Sequence, residues 1–101
     1  MLDGGEIVQR LSKSGKLKMV IVAGVFTQTS DSRVDIFVVG NGISKSVINN
    51  AIKSIEAELG RELVYVYFET KDFQYRLGMN DKLIRDVLDY PHQVLLDKIP
   101  L

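Results

Sequence analysis

Cysteine is absent from the 101 residues, which excludes disulfides, thiolate metal sites and cysteine nucleophiles. An excess of either charge is also lacking: 13 Lys and Arg balance 13 Asp and Glu, for a formal net charge of zero. Nucleic-acid domains and polybasic membrane anchors carry a basic excess, so neither direct nucleic-acid binding nor membrane attachment is expected. No apolar run reaches the ~18 residues of a membrane span. The N-terminal MLDGGEIVQRL has acids where a signal peptide has a basic head and an apolar core, so the expected location is the cytoplasm. What is present is ordinary for a globular chain, with 46% apolar and 26% charged residues. The length fits a single domain over residues 1–101, and there is no linker, repeat or low-complexity stretch. A chain this size buries only about two-thirds of its unfolded surface, enough for one core but with little room for a deep closed pocket.

Periodicity then assigns the elements. Ile7, Val8 and Leu11 at helical spacing predict a short helix over Glu6 to Lys13, started by Asp3 or Gly4 and stopped by Gly15. Leu17 to Phe26 is nearly all apolar and rich in Val and Ile, as in a strand covered on both faces. The polar cluster Thr27 to Ser32 is a turn. Arg33 to Val39 reads as a second strand, with Val34, Ile36 and Val38 on one face and Arg33, Asp35, Phe37 and Val39 on the other. Gly40-Asn41-Gly42 ends it as a tight turn; the Lys and Ser/Thr spacing of a phosphate loop is missing. Ser44 to Leu59 is a helix with an apolar stripe of Val47, Ile48, Ala51, Ile52, Ile55 and Leu59, an N-cap at Ser44 and a stop at Gly60. Leu63 to Phe68 is a third strand. Helices follow over Thr70 to Leu77, with Phe73 and Leu77 inward, and over Asp81 to Leu88, with Ile84, Val87 and Leu88 inward. Gln93 to Leu96 is a last short strand. The order α-β-β-α-β-α-α-β places the chain in the α/β class.

One segment carries more specific information. Gly24 to Gly40 reads GVFTQTSDSRVDIFVVG: an apolar strand, a glycine, a loop of about ten residues, and Asp31-Ser32-Arg33-Val34-Asp35-Ile36-Phe37 opening the next strand. This resembles the signature of the DNA polymerase beta-like nucleotidyltransferase superfamily, in which Gly-Ser follows the first strand and Asp-x-Asp opens the second. Downstream, Tyr75-Arg76-Leu77, Asp81 to Asp86 and Pro91 to Lys98 resemble the domain that follows the winged-helix module in some prokaryotic transcriptional regulators. The resemblance implies a small nucleotidyltransferase-like fold, a mixed central sheet of about four strands flanked by about four helices.

The resemblance also implies what the chemistry needs. Nucleotidyl transfer uses divalent metal to bridge the triphosphate and activate the attacking oxygen, and Mg²⁺ takes carboxylate oxygens. In the family, two Asp at i and i+2 on a strand hold the metals, a third acid comes from a neighbouring strand, and the Gly-Ser turn approaches the phosphates. Here Gly24 matches the glycine, Val25 stands where the serine belongs, Arg33 stands at the first Asp and Asp35 matches the second. The strand Leu63 to Phe68 offers no third acid, with Glu62 and Glu69 at its ends only. A guanidinium beside Asp35 would cancel its charge, and a dication ~4 Å from it would be repelled by several kcal/mol at an effective dielectric of ~20. The expectation is a domain without transferase activity, with Mg²⁺ and nucleotide not expected as cofactors, acting through a protein partner or by self-association. Gly24, Val25, Arg33 and Asp35 would be relic positions of a nucleotide and metal site. Nucleotide binding without transfer, with Arg33 as phosphate counter-charge, is the alternative, as is residual transfer using an unusual ligand such as Asp31.

Each residue also has a plain structural reading. Asp35 could pair with Arg33 or cap a helix start. His92, the one histidine, suits the turn after Pro91. Tyr65, Tyr67, Tyr75 and Tyr90 read as core packing and sheet cover rather than base-stacking platforms. Asp81/Arg85 and Lys82/Asp86 read as i, i+4 pairs on a solvated helix face.

Overall fold

The computed structural model describes residues 2–29 and 32–99. Helix α1 covers Gly4–Leu11; Asp3 caps it by accepting from the Glu6 N–H at 2.9 Å, which satisfies one orphan amide of the first turn. A 3₁₀ turn over Ser12–Ser14 carries the chain to Gly15 and into strand β1, Lys16–Val22. Strand β2 covers Ile36–Asn41 and helix α2 Lys45–Leu59. Ser44 caps α2 through the Val47 N–H, and Gly60 ends it in the left-handed region at φ +72°, where a Cβ would be strained. Strand β3 is Tyr65–Glu69, helix α3 Thr70–Gly78, helix α4 Lys82–Asp89 and strand β4 Gln93–Asp97. Asp81 caps α4, accepting from the Leu83 and Ile84 amides.

The four strands form one mixed sheet in the order β3-β2-β1-β4. β1 runs antiparallel to β2 and β4, while β2 and β3 are parallel and joined across one face by α2. The molecule is α/β with four helices in two layers, as the pattern of elements indicated. One layer packs Ile7 and Leu11 of α1 and Ile48, Ile52 and Ile55 of α2 on Leu17, Val20, Val22, Ile36 and Val38. The other packs Phe73 of α3 and Ile84 and Val87 of α4 on Met19, Ile21, Phe37 and Val39. β1 is therefore covered on both faces, as its unbroken apolar run requires.

The third strand begins at Tyr65 rather than Leu63, and the second runs on through Gly40 to Asn41 rather than ending at Val39; two further strand boundaries differ from the sequence reading, and both of these converge on Asp35. The first strand was expected to reach Phe26 but ends at Val22, and Gly24–Phe26 form a 3₁₀ turn. The second was expected to begin at Arg33 but begins at Ile36. Its alternation also breaks: Val34 packs with Phe37 and Val39, opposite to Ile36 and Val38. The cause is a local bulge. The amides of both Asp35 and Ile36 donate to the Val64 carbonyl, at 2.8 and 3.2 Å, and two successive donors on one acceptor shift the facing by one residue.

The connection after β2 is held by a carboxylate. Glu69, at the end of β3, accepts from the Gly42 and Ile43 amides at 2.9 and 3.0 Å. These bonds, Ile43 first and Gly42 second, hold the Glu69 carboxyl below the usual glutamate range. A depressed folded-state pKa contributes stability above the unfolded value, and the contribution is lost as pH falls through the folded one. Glu69→Gln is therefore expected to be less stable than the native chain at neutral pH, the difference closing below about pH 4. Urea denaturation across pH reads this directly.

Candidate functional site

Gly24, Val25 and Asp35 are brought together. Gly24 has φ +56° and turns the chain out of β1; the 3₁₀ turn it opens presents the Val25 N–H to Asp35 Oδ1 at 2.9 Å. The other oxygen, Oδ2, accepts from the Val64 N–H at 2.8 Å. The Asp35 main chain is equally engaged, its carbonyl accepting from the Ala23 amide at 2.9 Å. One residue thus ties together the segment after β1, the start of β2 and the approach to β3. No Cβ fits at Gly24: it would lie 2.1 Å from Asp35 Oδ1 and 3.3 Å from the Val34 carbonyl oxygen. Gly24 is therefore demanded twice, by its positive φ and by the approach of the carboxylate.

These residues line an open cleft of about 550 Å³ together with Gln28, Thr29, Ser32, Arg61, Glu62 and Val64. Within it Ser32 Oγ donates to the Val34 carbonyl, and the Thr27 and Thr29 hydroxyls lie 3.0 Å apart at its edge.

Arg33 is not part of this arrangement. It precedes β2, so the same-face geometry of strand positions i and i+2 does not apply to Arg33 and Asp35. Its exposed side chain points to α4, with Nε 3.9 Å from Asp86 Oδ2. No ion pair joins it to Asp35 among the described residues. The expected electrostatic obstacle, a guanidinium neutralising the carboxylate, is therefore replaced by a hydrogen-bonding one. Both Asp35 oxygens already accept from backbone amides.

The fit of a divalent ion follows from the donor set. Mg²⁺ requires octahedral oxygen ligands and is commonly held by one or two carboxylates plus substrate oxygens. Among the described residues no three His, Asp or Glu side chains gather closely enough to hold a metal ion. The two backbone amides fix the orientation of the Asp35 carboxylate and use one acceptor site on each oxygen, and Val25 brings no hydroxyl. Among the described residues, no cluster of acids makes up the donor set of a two-metal centre. Asp31, the other acid considered from the sequence, lies outside the described residues.

The structural readings of the remaining candidates hold in part. His92 Nδ1 lies 2.8 Å from the Tyr90 carbonyl oxygen, to which its N–H donates across the turn at Pro91. Lys82 and Asp86 form their i, i+4 pair at 3.2 Å. The expected Asp81/Arg85 pair does not form, because Asp81 caps its own helix and turns its other oxygen to Arg76 at 3.2 Å. Those amides and Arg76 hold the Asp81 carboxyl below the usual range. Tyr65 and Tyr67 pack against the α2 layer, while Tyr75 and Tyr90, at 67% and 40%, are exposed rather than buried.

The sequence reading did not identify the two carboxylates that clamp backbone amides at a distance, Glu69 on Gly42 and Ile43 and Glu56 on the Leu63 N–H at 2.7 Å. The one signal was position: each acid flanks an element end facing a turn. Against family models, curated proteins and solved structures, the chain gives no match. Among the described residues no helix is long and apolar enough to cross a membrane.

Proposed function

We propose that this chain is a non-catalytic module of nucleotidyltransferase-like type, acting in the cytoplasm through protein contacts, in the manner expected of a domain related to winged-helix regulators. The observation that carries the reading is the state of Asp35. The acid that corresponds to the second Asp of the signature accepts two backbone amides and fixes three chain segments, a structural duty for a carboxylate. Arg33 at the first Asp position pairs with α4, and Val25 replaces the serine, so the framework survives in a form that supports folding.

The reading predicts an absence of chemistry that can be measured. Purified chain incubated with ATP, GTP, CTP or UTP, Mg²⁺ and a protein or hydroxyl acceptor should release no pyrophosphate above the buffer rate. Pyrophosphate release that disappears in an Asp35→Asn variant, whose folded spectrum is retained, would falsify it.

A further inference from the structure

The sheet has two edges, and they are not alike. β4 is blunted: its pairing with β1 shifts register between Val20 and Ile21, and it begins just after Pro91. Bulges and prolines are the devices by which natural edges avoid pairing. β3 has neither. Its five residues Tyr65–Glu69 run in unbroken parallel register with Ile36 to Gly40. The segment Val64 to Phe68 contains no charge, proline or glycine, and Val64 is 56% exposed.

The free backbone groups of this edge follow from the ladder. The Val64 carbonyl accepts from the Ile36 amide, toward β2. Alternation in a parallel pair then turns Val66 and Phe68 toward β2 as well, and leaves the N–H and C=O of Tyr65 and Tyr67 directed outward. These four groups are self-complementary. A second β3 laid antiparallel, Tyr65 opposite Tyr67, makes four hydrogen bonds around a two-fold axis at Val66. That register places Val64 against Phe68 of the other copy on the α3 face, and the tyrosines against each other on the α2 face.

The flanking helices suit the same occupant. Asn49 of α2 accepts from the Tyr65 hydroxyl of β3, and Glu56 from the Leu63 amide in the segment before it, with Lys53 between them in sequence. Arg76 of α3 stacks over the Phe68 ring, 5.0 Å from its centroid, and pairs with Asp72 at 3.1 Å. Both helices bordering the edge carry charges of both signs, Lys45, Lys53, Glu56 and Glu58 on α2 and Lys71, Asp72 and Arg76 on α3. Charges of both signs at the edge offer partners to a second copy, and a chain of zero net charge carries no overall repulsion against its own copy.

We propose that the β3 edge is a self-association surface, joining two copies through antiparallel β3–β3 pairing into one continuous eight-stranded sheet. The inference rests on the reading of the chain as an interaction module and names its partner as a second copy.

The test is sedimentation equilibrium of the full 101-residue chain over a concentration series, with amide hydrogen exchange at its two ends. The expected result is a mass rising from 11.4 kDa toward twice that value, with exchange at Tyr65 and Tyr67 slowing as the dimer forms. Val64→Lys, at an exposed position, should weaken association about tenfold or more by placing a charge against Phe68. Val94→Lys, on the β4 edge, should leave it unchanged. Each variant is first shown to keep the native amide spectrum. A chain that stays at 11.4 kDa up to millimolar concentration overturns the proposal, as does a dimer lost in Val94→Lys or one that leaves the Tyr65 and Tyr67 amides unprotected. Monomeric chain without nucleotide turnover overturns self-pairing alone. Turnover abolished by Asp35→Asn overturns the interaction reading, whatever the mass.

Discussion

Gly24→Ala is expected to destabilise the protein by roughly 3–5 kcal/mol, a magnitude reserved for a few mechanisms. Two costs combine. An alanine held at φ +56° costs roughly 1–2 kcal/mol. The new Cβ would also fall 2.1 Å from Asp35 Oδ1, so the carboxylate must move. Doing so loosens its bonds to the Val25 and Val64 amides, each charge-assisted and worth about 1.5–3 kcal/mol when sheltered, with the lower end fitting this half-exposed site. The two residues are therefore coupled. In an Asp35→Ala background the collision is gone and Gly24→Ala should cost only its backbone strain. Chemical denaturation of the two single variants and the double variant measures this. Coupling of about 1 kcal/mol or more, in the sense that the double variant is less damaged than the sum, is the expected result. Strict additivity would mean that the carboxylate is not seated against Gly24.

Phe73→Ala should be comparably damaging, at about 3–5 kcal/mol. Phe73 is fully buried on α3, with its ring centroid 5.9 Å from that of Phe37 in an edge-on arrangement, and Phe37 in turn lies 5.7 Å from Phe68. Truncation removes one of the large fully buried side chains of the α3–α4 layer and leaves a void that the sheet, packed on its other face by α1 and α2, cannot close. Phe73→Leu, which keeps most of the volume, should recover more than half of the loss. Urea midpoints at constant slope report both values. A loss under 1 kcal/mol for Phe73→Ala would mean that α3 is not docked on the sheet.

The distribution of success between sequence and structure has a physical logic. Elements with strong periodicity and clear caps were legible: the stripe from Val47 to Ile55 lies between the Ser44 cap and the Gly60 stop, as found in α2, and the unbroken apolar run from Leu17 signalled a strand buried on both sides. Boundaries failed where a side chain overrides the local pattern. Val34, Ile36 and Val38 alternate in sequence, yet the bulge at Asp35 turns Val34 to the opposite face, because Val64 offers one carbonyl to two amides. That contact joins residues 29 positions apart, and no local pattern encodes it.

The candidate site was legible through the family resemblance and illegible in geometry. Gly24, Val25 and Asp35 were named from the resemblance to the nucleotidyltransferase signature, and they do converge. Their bonding could not be read from spacing, because Asp35 finds one of its partners, the Val64 amide, on a third segment. Arg33 was placed beside Asp35 by assuming strand geometry; with β2 starting at Ile36, its guanidinium meets Asp86 instead. Leu59, in the last turn of α2 and at the end of its stripe, is 39% exposed.

The account turns on Asp35 serving as a clasp rather than as a ligand. The most direct measurement is an amide NMR titration of the intact chain with ATP, run with and without Mg²⁺. The account predicts that the Val25, Asp35 and Val64 amides hold their positions in both series, since the carboxylate stays committed to the backbone. Saturable shifts at those three amides that require Mg²⁺ would contradict it and show that Asp35 exchanges its backbone partners for a metal-bound nucleotide.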